Sequence, residues 1–342
     1  MTDPSRRRVV VTGLGAVCSW GWTLDSLRRG LATGRTAIGE FSRFPNDAYP
    51  TRVAAEVPEP FPRAERDRTL SVADRFALAS AAEAVAQAGL PDDLSSLEAG
   101  VYFGSSTGGM EESETFYADL RREPRDRMSL RRLVSQEVSG PGDAVARAFR
   151  VCGPVQTFSS ACASATLAVG VALDAVRSGE VDLAIVGGAD SLCRVTYGGF
   201  NALRSVDPAP SRPFRADRAG LSLGEGGAVL VLETLESAEA RGARPLAEVL
   251  GAGATADAHH MTAPDPEGRG AAAALAAALA DAGLEPAAVD FVNAHGTGTP
   301  LNDVAETRAL QSVLGDRALR IPVTANKASI CLLYTSPSPR DL

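Results

Sequence analysis

The chain has 342 residues, of which 45% are hydrophobic, 22% charged and only 5% aromatic, with 33 glycines and 21 prolines. This is the composition of a globular protein and excludes a disordered or collagen-like chain. At roughly 150 residues per domain the length accommodates two domains or two fused halves, enough for a core that needs no disulfide or metal. The formal charge of −8 gives no global electrostatic case for nucleic acid or an anionic membrane, so a small-molecule or protein-linked substrate is expected.

Taken in chain order, strands alternate with helices, which predicts an α/β protein with largely parallel sheets. A short strand over Arg8 to Thr12 precedes a helix over Leu24 to Ala32. An Ala-rich helix from Ser71 to Ala88 stops at Gly89 before a strand over Gly100 to Gly104. Gly108 to Phe149 is charged and helical in pattern, punctuated by Gly140-Pro141-Gly142. A strand over Val155 to Phe158 runs through Ser159-Ser160-Ala161 into a helix opened by Cys162 and reaching Arg177. The apolar strand Val181 to Gly187 follows, then a loop rich in Pro, Arg and Asp from Asp207 to Gly220. Gly224-Glu225-Gly226-Gly227 reads as a tight turn with a charged anchor, leading into a strand over Ala228 to Glu233. A helix over Gly268 to Ala282, a strand over Val289 to Asn293, a turn to Thr299 and a helix over Asp303 to Val313 complete the pattern. Ala88-Gly89-Leu90 with Val101 and Phe103, and Ala282-Gly283-Leu284 with Val289 and Phe291, look like two copies of one unit.

The cysteines, Cys18, Cys152, Cys162, Cys193 and Cys331, show no CxxC spacing and stand beside only three histidines. That usage fits reduced thiols in the cytoplasm, one or two of them chemically active. Arg6 to Arg8 precede too short an apolar run for a signal peptide, and no run approaches the ~18 apolar residues of a membrane span. At the first turn of a helix, Cys162 meets unsatisfied N–H groups and the positive end of the helix dipole, which stabilise a thiolate. Its own N–H is placed to help bind an oxyanion; a buried packing cysteine is the competing reading. His295 ends an apolar strand and opens a Gly/Thr turn where a ligand can approach, with Thr297 and Thr299 offering hydroxyls; alternatively it is a core histidine bonded to a carbonyl. His259 and His260 read as surface residues. Phe103-Gly-Ser-Ser-Thr-Gly-Gly-Met110 reads as a loop lining a pocket and matches no phosphate-binding fingerprint. Lys327 is the only lysine among 34 basic residues.

In this order the motifs resemble the β-ketoacyl-acyl-carrier-protein synthases, the synthase I/II branch of the thiolase superfamily. The resemblance runs from Val9-Val-Val-Thr-Gly-Leu-Gly15 through Ser159-Ser-Ala-Cys-Ala163, Val186-Gly-Gly-Ala-Asp190, Pro213-Phe-Arg-Ala-Asp-Arg218 with Gly224-Glu-Gly226 and His295-Gly-Thr-Gly-Thr299 to Asn326-Lys327, and ends at Ile330. It implies duplicated βαβαβαββ halves in a five-layer αβαβα sandwich, usually a homodimer. Residues 1–250 would be the half carrying the nucleophile and 251–330 a partial second half. Cys162 would take an acyl chain from acyl carrier protein, and His295 would donate a hydrogen bond to the malonyl thioester carbonyl. Decarboxylation would then extend a fatty acid or polyketide chain by two carbons. Lys327 matches the active-site lysine, Thr297 and Thr299 lie near the phosphopantetheine arm, and Thr107, Met110 and Phe200 fall in segments lining the acyl tunnel. No metal or redox cofactor is implied.

Two departures stand out. Relatives continue after the lysine with a Gly-His pair carrying a second catalytic histidine and a Gly-Phe-Gly loop; here Cys331 begins a different stretch, so 331–342 reads as a non-native tail on a truncated copy. Such a chain is expected to be impaired in condensation while keeping Cys162 acylation. Leu221 stands where relatives carry Phe. Arg121, Arg122, Arg125, Arg127, Arg131 and Arg132 form either a docking patch for an acidic carrier protein or a solvated face beside Glu123 and Asp126. The competing functions are a thiolase-type coenzyme A acyltransferase, a non-catalytic chain-length-factor-like subunit, against which Cys162 argues, and an inert fragment.

Overall fold

Strands and helices follow one another over residues 6–59, 69–122 and 130–330, which a computed structural model of the chain describes. The strands are β1 (Val9–Val17), β2 (Gly39–Glu40), β3 (Val53–Ala55), β4 (Ala99–Gly104), β5 (Val155–Phe158), β6 (Leu183–Asp190), β7 (Leu223–Gly224), β8 (Gly226–Thr234), β9 (Ala247–Glu248), β10 (Val292–Asn293) and β11 (Val323–Thr324). The helices are α1 (Leu24–Ala32), α2 (Val72–Gln87), α3 (Met110–Arg122), α4 (Gly140–Ala148), α5 (Ser164–Ser178), α6 (Arg194–Ala202), α7 (Leu235–Ala240), α8 (Arg269–Ala282), α9 (Pro300–Leu314) and the short α10 (Lys327–Ile330).

The large sheet has the order β5-β4-β6-β8-β1-β9. Only β5, β4 and β6 are mutually parallel; β6–β8, β8–β1 and β1–β9 are antiparallel. The expectation of largely parallel sheets is therefore corrected to a mixed sheet: the connection through α6 and β7 returns β8 beside β6 in the opposite direction, and β1 and β9 continue the antiparallel pairing. Alternation along the strands covers both faces. Val101, Phe103, Ile185, Val229 and Val231 join the core under α2 and α4, while Tyr102, Ala184, Val186, Leu230 and Leu232 join the core under α5. Two helical layers thus enclose the sheet, and its central strands β4, β6 and β8 are buried along their whole length.

Helix α2 starts on a capping box in which Ser71 and Asp74 exchange side-chain-to-backbone hydrogen bonds. Its backbone lies directly on the sheet. A Cβ at Gly13 would overlap the carbonyl of Ala84, and one at Gly15 the carbonyl of Ser80. The same contact recurs at α8, where Gly251 meets the carbonyl of Ala278 and Gly253 that of Ala274. Both helices end on a left-handed glycine, Gly89 at φ +68 and Gly283 at φ +64. The next residue bonds back into the helix in each case, Leu90 N to Val85 O at 3.1 Å and Leu284 N to Leu279 O at 2.9 Å. This is the duplicated unit suggested by the two Ala-Gly-Leu segments.

Several boundaries differ from expectation. The strand expected over Val289 to Asn293 is confined to β10, because a 3₁₀ turn at Pro286–Ala288 precedes it. Gly140-Pro141-Gly142 begins α4, since Pro lacks an N–H only where the first helical turn has no use for one. Ala161–Ser178 is, among the described residues, the one helical stretch long and apolar enough to cross a membrane by length and composition. This corrects the expectation that no run approaches that length. Its Ala168, Ala172, Leu173 and Val176 pack on the sheet.

Replacing Gly15 by Ala drives a methyl into the α2 backbone, which cannot rotate away. Overpacking of this kind costs about 1–3 kcal/mol, so urea denaturation of Gly15→Ala is expected to show a lower midpoint with an unchanged slope. A midpoint equal to the parent's would mean that α2 does not sit this close to β1.

Candidate active site

Cys162 follows the end of β5 by a few residues. Ala161 before it has φ +46, a left-handed conformation that costs a non-glycine residue about 1–2 kcal/mol. Cys162 lies in a 3₁₀ turn, Ala161–Ala163, rather than in the first turn of α5. Ser164 secures the turn, accepting from Ser160 N at 2.9 Å and donating to Ala161 O at 2.7 Å. The neighbouring strands approach because Gly104 and Gly188 have no side chain: a Cβ on Gly104 would strike the backbone of Ser164 and Ala165, and one on Gly188 would meet Ala165 Cβ at 3.0 Å.

The thiol is half-buried against the cluster that includes Phe41, Phe44, Leu192 and Tyr197, against which Phe200 also packs. Burial pushes its pKa up, opposed by the positive charge of Lys327 and by the Cys162 N–H, and assisted by the Asp190 carboxylate. The thiolate stabilisation anticipated from the helix terminus is thus present but outweighed. Loss of water costs the anion more than the local dipoles return.

Strands β10 and β11 pair in parallel, Val292 with Val323 and Asn293 with Thr324. Their ends therefore emerge side by side, His295 from one and Lys327 from the other. Lys327 Nζ donates to Ala294 O at 3.4 Å. Burial, and then the Lys327 charge, lower the His295 pKa to about 4. At neutral pH the imidazole is accordingly neutral, with one nitrogen a donor and the other an acceptor. Glu306 on α9 accepts from the backbone of His295 at 2.5 Å and of Gly296 at 2.8 Å. One helical turn away, Asp303 accepts from Gly298 N at 3.1 Å and Phe214 N at 2.7 Å.

The structure brings Cys162, His295 and Lys327 into one electrostatic neighbourhood at the carboxyl ends of parallel strands. In α/β sheets that is where ligands bind. The other expected residues divide. Phe200 packs against the same apolar cluster as Cys162. Thr297 and Thr299 share the turn after His295 with their hydroxyls 2.9 Å apart. Thr107 is buried, its N–H and hydroxyl both held by Asp190 at 2.8 and 2.9 Å, and Met110 opens α3 more than a third exposed. His259 and His260 are exposed, and no group of metal-ligating side chains forms among the described residues. Arg121 and Arg122 are exposed at the end of α3; Arg125 and Arg127 lie outside the described residues, as do the side chains of Arg131 and Arg132 and all of 331–342.

Four buried or half-buried carboxylates brace the site, and of these only Glu225 was singled out in the sequence, as a charged anchor. Asp303 and Glu306 had a legible signal, two acids three apart on the helix that follows a His-Gly-Thr-Gly-Thr turn. Asp190 and Glu225 are buried hubs fed by distant segments. Glu225 pairs with Arg43 and accepts from Val57 N at 3.0 Å and Leu192 N at 3.1 Å, fixing the chain just beyond Asp190.

The depressed His295 pKa has a measurable sign. Unfolded, the group titrates near 6.5, and folded near 4. Between these values the unfolded chain binds a proton that the folded chain does not, so stability falls as pH drops through this window, by up to about 3 kcal/mol from this residue. Urea denaturation from neutral pH to the lower limit of the window is expected to show a steeper loss for the parent than for His295→Gln. Parallel losses would show that the imidazole is not held neutral.

Residues 6–238 match the family described as beta-ketoacyl synthase, N-terminal domain, and residues 246–336 match its C-terminal domain, six residues past the Ile330 at which the motifs appeared to end. The chain is 37% identical to 3-oxoacyl-[acyl-carrier-protein] synthase 2 of Synechocystis sp., over 96% of this chain and 82% of that protein. It is 38% identical to nodulation protein E of Rhizobium meliloti, over 94% of this chain and 81% of the relative. The solved ishigamide ketosynthase/chain length factor superposes with a TM-score of 0.88 at 36% identity, over 96% of this chain and 82% of that one. A type II polyketide acyl-carrier protein in complex with its ketosynthase bound to the hexaketide gives 0.86 at 27% identity, over 95% and 82%. These matches extend over both copies of the duplicated unit and over the turns bearing Cys162, His295 and Lys327, and the chain belongs to the β-ketoacyl synthase family.

Proposed function

We propose that Cys162 carries the growing acyl chain in the condensation of an acyl thioester with malonyl-acyl carrier protein, the reaction of this family. The observation that carries the assignment is the meeting of Cys162 from β5 with His295 and Lys327 from β10 and β11. The sulfur attacks the acyl thioester carbonyl, the carrier thiol leaves with the proton, and a Cys162 thioester remains. His295, neutral, donates one N–H to the malonyl thioester carbonyl, while burial, aided by the Lys327 charge, keeps the imidazole from protonating. Cleavage of the bond to the departing CO2 leaves its electron pair on the malonyl α-carbon. That carbon attacks the Cys162 thioester, and the sulfur departs as thiolate. Because the electron pair of the new carbon–carbon bond comes from decarboxylation, the proposal includes no metal or redox cofactor.

The acyl donor arrives on acyl carrier protein in this reading, which the solved complex of a related ketosynthase with its carrier supports. The exposed Arg121 and Arg122 are the described part of its candidate docking patch. A second copy of the chain is proposed to pair at β5. This strand is an edge of the large sheet, its Val155 and Gln156 are exposed, and an unpaired edge is a template for strand addition. Related ketosynthases have also been solved with a chain length factor, and Cys162 favours the catalytic role over that of such a factor. The four described cysteines are free, in keeping with a cytoplasmic setting.

The test uses the 342-residue chain with acyl-acyl carrier protein and then malonyl-acyl carrier protein, read by intact-protein and peptide mass spectrometry. The acyl mass is expected on Cys162 alone and absent from Cys162→Ala. His295→Ala is expected to acylate normally and to lose condensation by at least about 100-fold. A folded parent that takes no acyl group, or takes it elsewhere, overturns the assignment.

A further inference from the structure

The carboxylate of Asp190, at the end of β6, is buried, and no basic side chain pairs with it among the described residues. It is held by hydrogen bonds alone. Oδ1 accepts from Ser105 Oγ at 2.9 Å, Ser106 N at 2.9 Å, Thr107 N at 2.8 Å and Thr107 Oγ1 at 2.9 Å, and Oδ2 lies 3.2 Å from Ser106 N. Every polar group of the turn after β4 that can reach it is directed at this one side chain. A buried anion without a counterion is costly, and nothing in the chemistry assigned to Cys162, His295 and Lys327 uses it.

The turn that Asp190 fixes also touches the segment that carries Cys162. Ser106 Oγ donates to the carbonyl of Ala161 at 3.0 Å and lies 3.3 Å from Ser164 Oγ. Ala161 is the left-handed residue immediately before Cys162. Such a conformation persists only where its surroundings over-determine it.

We propose that Asp190 is a positioning residue for the Cys162 nucleophile: it clamps the Ser105–Thr107 turn so that Ser106 holds the Ala161 carbonyl and keeps the strained turn that aims the sulfur. The inference rests on reading Cys162 as the nucleophile. Two groups from other elements act on that sulfur, Lys327 from α10 favouring its anion and Asp190 from β6 opposing it. The clamp therefore has a cost, since the carboxylate that aligns the sulfur also resists its ionisation. Asp190→Asn separates the two effects, because its amide oxygen can take the place of Oδ1 without the charge, giving up only the 3.2 Å contact of Oδ2 with Ser106 N.

The probe is iodoacetamide, which needs neither an acyl chain nor a carrier protein, so failure here is distinguishable from failure of the acylation reading. Alkylation of Cys162 in the full chain is followed by peptide mass spectrometry across pH, with circular dichroism confirming the fold of each variant. Ser106→Ala is expected to slow alkylation near neutral pH by about fivefold, one hydrogen bond's worth, through a raised thiol pKa. Ser106→Thr keeps the hydroxyl and is expected within twofold of the parent. Asp190→Asn is expected to be about threefold faster than the parent and Asp190→Ala slower, with Ser106→Ala adding little on top of Asp190→Ala. A merely structural role would not set Asn and Ala on opposite sides of the parent. Should Asp190→Ala not fold, the Ser106 pair decides. Ser106→Ala alkylating at the parent rate, or Asp190→Asn proving as slow as a folded Asp190→Ala, overturns the proposal.

Discussion

Direct contact between backbones, made where glycine removes the side chain from between them, is the constraint on which the remaining structure depends. Gly104 and Gly188 let the ends of β4 and β6 approach the start of α5, and Gly13, Gly15 and Gly227 let α2 settle onto β1 and β8. Had any of these carried a methyl, helix and sheet would stand apart by a sizeable fraction of an ångström or the backbone would shift. The Ser105–Thr107 turn reaches Ala161 because β4, β6 and α5 meet at this spacing. The low aromatic content belongs to the same design, since small side chains fill much of the layers, and one group of rings in mutual contact, Phe41, Phe44, Tyr49 and Tyr197, lies in the cluster against which the thiol packs.

Desolvation then decides the protonation states. It raises the Cys162 pKa and lowers that of His295, so the resting pair is a thiol beside a neutral imidazole. Lys327 pushes these two groups in useful directions at once: it opposes protonation of the imidazole and favours the thiolate. One cation thus supports a hydrogen-bond donor and a nucleophile without itself taking or giving a proton. An arginine here would spread its charge over a plane and point several fixed donors into the space that a substrate carbonyl must enter, which gives physical meaning to the one lysine in a chain otherwise committed to arginine.

Local chemistry was legible wherever it is written in adjacent residues. Helix α1 has the expected bounds, Leu24–Ala32, and α2, Val72–Gln87, falls one residue inside the expected Ser71 to Ala88 at each end. Helix α6 was not anticipated, because Val195, Thr196, Gly198 and Gly199 are poor helix formers. It is held from outside by Glu114, whose carboxylate accepts from Arg194 N at 2.9 Å and Val195 N at 2.7 Å at the helix start. The direction of the Cys162 shift failed for a related reason. A helix terminus can be read from sequence, but the extent to which other segments exclude water from it cannot. Asp190 is the extreme case, since its ligands come from a strand end some eighty residues away.

The duplicated unit also explains why one cleft receives so many functional groups. In the first copy, α2 leads to β4, and β4 pairs in parallel with β5; in the second, α8 leads to β10, and β10 pairs in parallel with β11. Each copy therefore offers two turns at the carboxyl ends of adjacent strands, Ser105–Thr107 with Cys162 in one and His295 with Lys327 in the other. Both copies anchor the first of these turns in the same way. Asp190 accepts the N–H groups of Ser106 and Thr107, and Glu306 accepts those of His295 and Gly296. A buried carboxylate that gathers consecutive backbone donors fixes a turn without occupying the cleft. The side chains on the cleft side could then diverge, one copy retaining hydroxyls that brace the nucleophile and the other acquiring the imidazole that meets the second substrate.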